Sequence, residues 1–130
     1  MVPTLAYGEV SMNAHDLAGT CAVRLKDFPL YSQEKNADPV VGVKLFHAYG
    51  SGTWYITEYD PEQKLAFGYV TGLGGDEWGY VSIAELAAVR LAPGVPSIEV
   101  DLFFSPTPIS QLKDGPGPRR SCDGLGGHRE

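Results

Sequence analysis

The chain reads as an α+β domain: a mainly antiparallel sheet of about five strands, with two or three helices packed on one face. Three observations lead there. Between Val43 and Leu86, short apolar or aromatic runs follow one another, each closed by turn-forming residues. Asp60-Pro61-Glu62-Gln63 joins two of these runs in the pattern of a type I turn, which makes them an antiparallel hairpin. Ser82 and Glu85 have the spacing of a capping box, so a helix starts there. The Ser82 hydroxyl can receive the Glu85 N–H while the Glu85 carboxylate reaches back to the Ser82 N–H.

Residues 1–12 show no period and read as a loose arm. Asn13 is a suitable N-cap, and a helix from there to Pro29 would set Leu17, Cys21, Leu25 and Phe28 on one face. Leu17, Gly19, Cys21, Val23 and Leu25 also alternate as a strand does, so both readings of 13–28 stand. Val40–His47 reads as the first strand, ended by a turn at Gly50 and Gly52. Thr53–Tyr59 is the second, Lys64–Thr71 the third, and Trp78–Val81 a short fourth. The helix opened by Ser82 should run to about Leu91, ahead of Pro93-Gly94. Ile98–Phe103 is the fifth strand, with Ile98, Val100 and Leu102 inward. Thr107 and Pro108 then open a last short helix by cap and first-turn proline. Residues 1–112 thus form one domain, and the Gly- and Pro-rich stretch 113–130 reads as a flexible tail.

A chain of 130 residues can bury a core without staples. Hydrophobic content of 43% and charged content of 20% are ordinary for a globular protein. The formal net charge of −6 argues against wrapping nucleic acid, which draws its affinity from Lys and Arg displacing counterions. From Val40 to Asp101, eight acids stand against Lys44, Lys64 and Arg90, the pattern of a solvated acidic surface. Cys21 and Cys122 are too few and too far apart for a disulfide framework or a zinc site. Two free thiols, no long apolar run and no signal-like start lead us to expect a cytoplasmic protein with no membrane and no nucleic-acid partner.

Several short motifs occur in a fixed order: KLF (44–46), GSGTW (50–54), ExDP (58–61), FG (67–68), GYxSxxEL (79–86) and IExDLxFxPxPIS (98–110). Together they resemble a family of small bacterial domains of unknown function, often encoded on plasmids and other mobile elements. LKDFPLY (25–31) is similar to that family's opening helix and its exit. The likeness covers roughly residues 15 to 112, and the loop between the second and third strands is short here. The resemblance supplies no activity and no catalytic residues. It implies a context instead, the accessory cargo of a mobile element acting on host or competitor machinery.

No motif carries chemistry outright. Gly72-Leu73-Gly74-Gly75 leads into Asp76, Glu77 and a strand rather than a helix N-terminus, so it reads as a hairpin loop and not a phosphate cradle. Glu58, Asp76 and Glu77, with Asp60, could gather at one sheet end as an acid–base or cation site, yet Asp60 is already explained by its turn. His47 reads as a surface histidine at a strand end, and Ser51 lies in a turn without the setting of a nucleophile. The aromatics are more telling. Tyr49, Trp54, Tyr55, Tyr59, Phe67, Tyr69, Trp78 and Tyr80 crowd into a few strands, and strand alternation places Tyr55, Tyr59 and Tyr69 outward. Tyrosines of this kind anchor protein interfaces. The expectation is therefore a non-catalytic domain without cofactors that binds a protein partner or a second copy through Tyr55, Tyr59 and Tyr69. The alternatives are a small hydrolase using Glu58 with Asp76 and Glu77, and an acidic mimic of nucleic acid.

Overall fold

A computed structural model describes residues 13–112; the expected arm (1–12) and tail (113–130) lie outside the described residues. The centre is a five-stranded antiparallel sheet of β2 (Val43–His47), β3 (Thr53–Asp60), β4 (Leu65–Thr71), β5 (Glu77–Ser82) and β8 (Ile98–Val100). They lie side by side in the order β5-β4-β3-β2-β8. β3 lies in the middle and is buried from Trp54 through Tyr59, as a strand with neighbours on both sides and covered faces must be. The Asp60 turn closes the β3–β4 hairpin. Its Oδ1 receives the Glu62 N–H at 3.0 Å, and its Oδ2 the Gln63 side-chain amide at 2.9 Å. Two short ladders flank the sheet: β1 (Val40–Val41) with β9 (Thr107–Pro108), and β6 (Arg90–Ala92) with β7 (Val95–Pro96).

The helical layer expected from the sequence is not there. Of the described residues, 38% are strand and 17% helix, and only one helix reaches seven residues, so the domain is mostly β rather than α+β. That helix, α1 (Leu17–Arg24), starts later than Asn13 because Asp16 is the cap, its Oδ1 receiving the Gly19 N–H at 3.0 Å. It packs Leu17 and Cys21 on the sheet, with Leu25 just beyond its end. The second, α2 (Ile83–Ala88), is capped by Ser82 as expected but stops six residues in. β-branched Val89 turns extended there, and Arg90–Pro96 folds into a hairpin around Gly94 (φ +79°) instead of finishing a helix. At the end of the chain the Thr107 hydroxyl donates to the Ser105 carbonyl rather than capping anything, and Ile109–Gln111 forms only a 3-10 turn. That turn lies on the other side of the sheet, where Ile109 packs with Val41 and Tyr55. The fifth strand is also shorter than expected, because Asp101 Oδ1 receives the Phe103 N–H and bends the chain away.

Two breaks in alternation divide the apolar residues between the faces. Val40–His47 is interrupted at Gly42, so Val41 enters one core and Val43 and Leu45 the other. On the neighbouring strand a β-bulge lies between Ile56 and Glu58. Before it, Trp54 and Ile56 face the helices while Tyr55 faces away; after it, Tyr59 faces the helices. The two breaks are joined, as the Gly42 N–H donates to the Ile56 carbonyl at 3.0 Å. Gly68, opposite Ile56, makes room for the bulge. A β-carbon there would collide with the Tyr55 carbonyl and the Ile56 backbone.

Candidate functional site

The tyrosines expected to form one outward patch do not. Tyr55 is 4% exposed and sits on the face away from the helices, while Tyr59 is 2% exposed and sits beneath them. The bulge at Thr57 separates them. Tyr69 is half-buried in a cross-strand row, paired with Tyr55 on one side and Trp78 on the other. The rings of Tyr69 and Trp78 meet at 5.4 Å, and Phe67 contacts both Trp78 (5.8 Å) and Tyr80 (5.0 Å). Lys44 Nζ lies 5.9 Å above the Tyr55 ring at the end of the row. These aromatics are a packing ladder, with contacts typical of cross-strand pairs. Burial raises the Tyr69 phenol above its ordinary pKa, and the Asp76 carboxylate adds to the effect.

The acids expected together lie apart. Glu58 is fully buried beyond the bulge, and its two oxygens receive the N–H groups of Tyr31 (2.7 Å) and Gln33 (2.9 Å). It clamps the 29–41 segment to the sheet. Asp76 closes its own loop by accepting the Gly72 N–H at 3.1 Å. Glu77 pairs across to Val70, which pairs with Trp54, so it belongs to the opposite end of β3 from Glu58. Four residues of strand separate the two levels, about 13 Å. Among the described residues, no group of three or more His, Cys, Asp or Glu could hold a metal ion.

What the structure does form is a cleft between the sheet, the 72–76 loop and the first turn of α2. α1 packs over β2, β3 and β8 and α2 over β4 and β5, and beside the first turn of α2 part of the sheet face is left open. A cleft of about 360 Å³ lies there. Trp54 and Val70 line it from the sheet, Val81 from β5 and Leu86 from α2. Gly79 leaves a gap in its β5 wall, since a β-carbon built there would meet nothing within 4 Å. Leu73, 57% exposed in the 72–76 loop, overhangs one side. Glu77 and Glu85 also line the cleft, and no lysine, arginine or histidine among the described residues does so. Sequence reasoning reached Glu77 for a different reason and missed the rest. The one available signal was Gly79, a lone glycine between Trp78 and Tyr80, because glycine inside a strand often marks a place left for something else.

The model of a family of proteins of unknown function, DUF2958, matches residues 20–114, which is most of the chain and all of the sheet. The chain belongs to the DUF2958 family. The match takes in every cleft residue and ends just after the described part of this DUF2958 protein. No curated protein and no solved structure matches the chain. No helix among the described residues is long and apolar enough to cross a membrane.

Proposed function

We propose that this DUF2958 protein is a non-catalytic binding domain that holds a segment of a partner protein in the cleft beside β5. The observation that carries the reading is an open hollow beside β4, β5 and the first turn of α2, where Trp54, Val70, Val81 and Leu86 stand among Glu77, Ser82 and Glu85, with Leu73 exposed at its side. A concave surface that stays open on a folded domain and mixes apolar side chains with a few polar ones is a common form of binding site, and 360 Å³ suits one or two anchoring side chains. The context implied by the sequence resemblance, cargo of a mobile element acting on host machinery, fits a domain that works by occupying a partner.

Gly79→Ile is the test. Its side chain would fill the cleft from a strand position that tolerates β-branched residues, so the fold and melting temperature should hold. Affinity capture from a host lysate with the wild-type chain should yield a discrete partner that the Gly79→Ile chain fails to retain. Equal capture by both chains would show that the cleft is not the docking site.

A further inference from the structure

Resting on the cleft as the docking site, we propose that its ligand is a basic peptide segment: an apolar anchor flanked by lysine or arginine. The anchor would fill the space beside Gly79, and the cations would face Glu77 and Glu85. The acids of this domain differ in how they are engaged. Asp16, Asp38, Glu58, Asp60, Asp76 and Asp101 each receive a backbone N–H. Glu99 meets His15, and Lys26 meets Asp27. The carboxylates of Glu62, Glu77 and Glu85 stand in no ion pair with a described residue, and of these three Glu77 and Glu85 line the same cleft, beside the apolar Val81 and Leu86. Ser82 donates nothing back to the Glu85 carboxylate; only the Glu85 N–H reaches Ser82 Oγ, at 3.2 Å.

A neutral apolar segment docking there would strip water from two carboxylates and return no counter-charge. An anionic one would add repulsion. A cationic segment satisfies both and is drawn in by a chain whose net charge is −6. The two carboxylates come from different elements, strand β5 and helix α2, so the cations must be spread along a chain rather than concentrated in one group.

The test is selection of a random dodecapeptide display library on the full chain, followed by titration of synthetic labelled peptides. Trp54 in the cleft serves as a fluorescent reporter in a Trp78→Phe background. The expected outcome is enrichment of peptides with one apolar anchor and adjacent lysine or arginine. Their affinity should fall at least tenfold in Gly79→Ile and roughly fivefold in Glu77→Gln/Glu85→Gln, the second loss shrinking at high salt. Apolar peptides without basic residues, lost in Gly79→Ile but untouched by the glutamine pair, would overturn the charge proposal and leave the cleft as a docking site. Peptides indifferent to Gly79→Ile, or no enrichment, would overturn both. Tighter peptide binding in Arg119→Ser/Arg120→Ser would show that the chain's own basic residues compete for the cleft, and would overturn a partner as its occupant. Binding that weakens as the chain self-associates in sedimentation would assign the cleft to a second copy and overturn the proposal equally.

Discussion

The two faces of the sheet are closed in different ways. On the helix side Leu17, Cys21, Leu45, Ile56, Ile83 and Val100 meet in one apolar core, and helices supply their own hydrogen bonds. On the other side the described residues form no helix beyond a single 3-10 turn, and segments 29–41 and 104–112 do the covering. Irregular backbone brings unpaired N–H and C=O groups to the surface it covers, and these need partners. Polar side chains provide them. Besides Glu58, Gln33 donates to the carbonyls of Val40 (2.9 Å) and Thr57 (2.8 Å) and receives the Val40 N–H (2.7 Å). Asp38 holds both the N–H (2.9 Å) and the hydroxyl (2.7 Å) of Ser110. A face covered by helices is held by volume, and a face covered by loops by a few specific bonds.

If that contrast is right, deletions on the two sides should differ in kind. The largest effect is expected on the helix side, where Leu45→Ala should cost about 2–5 kcal/mol through lost burial and a residual cavity. The loss should be global, lowering the denaturation midpoint for every probe together; an effect confined to one segment would break the contrast. Glu58→Ala should cost about 2–4 kcal/mol, because two charge-assisted bonds go and two donors lose their acceptor. Here the effect should be local first: hydrogen exchange should accelerate at Tyr31, Gln33 and Val40 before it does in β2 or β4. Uniform acceleration would mean that the clamp is no more local than the core.

A smaller effect, about 1 kcal/mol, is expected for Ser82→Ala, which removes the α2 cap while leaving the cleft residues in place. Thermal unfolding should register it, and peptide binding should not. The smallest effect at neutral pH concerns Cys21. Burial first, and the Asp16 carboxylate second, push its thiol up from 9.0 to about 12. Between these values the unfolded chain gives up the proton and the folded chain keeps it, so stability falls as pH rises. Tyr59, also pushed up to about 12 by its burial, acts in the same direction from its ordinary 10.0. Chemical denaturation at pH 8, 9 and 10 should show this decline, with a shallower slope in Cys21→Ala; an unchanged slope would mean that the thiol is not so enclosed.

Much of the sheet was legible because turn chemistry is local. The Asp60 hairpin and the Ser82 cap depend on residues within three positions of each other, and both stand where the sequence put them. The helical layer was over-read at three places where a local signal was outcompeted. Asn13 was passed over for Asp16, the run past Ala88 went into the β6–β7 hairpin, and Pro108 paired with Val40. The tyrosine patch failed for a different reason. Strand alternation is a counting argument, and one extra residue at Thr57 invalidates the count for everything after it. Gly68, two strand residues from Ala66 and across from Ile56, was the only trace of that extra residue, and it cannot be read without knowing the partner strand. The cleft was invisible for a related reason: it lies between β3, β4, β5 and α2, whose side-by-side placement no local signal states.

The Thr57 bulge also bears on how this strand can diversify. Along β3, tolerance to substitution should not follow a single period. Positions 54, 56 and 59 sit under the helices and should accept only apolar replacements, whereas 55 and 58 face a polar-clamped layer with other demands. A saturation scan of residues 53–60 would therefore show a periodic profile that slips by one position at 57. Deleting that single residue would restore plain alternation and leave Ile56, Glu58 and Tyr59 on the faces they already occupy. The bulge is thus the one place where this strand should absorb a deletion, whereas a residue gained or lost elsewhere along it would reverse every face beyond that point.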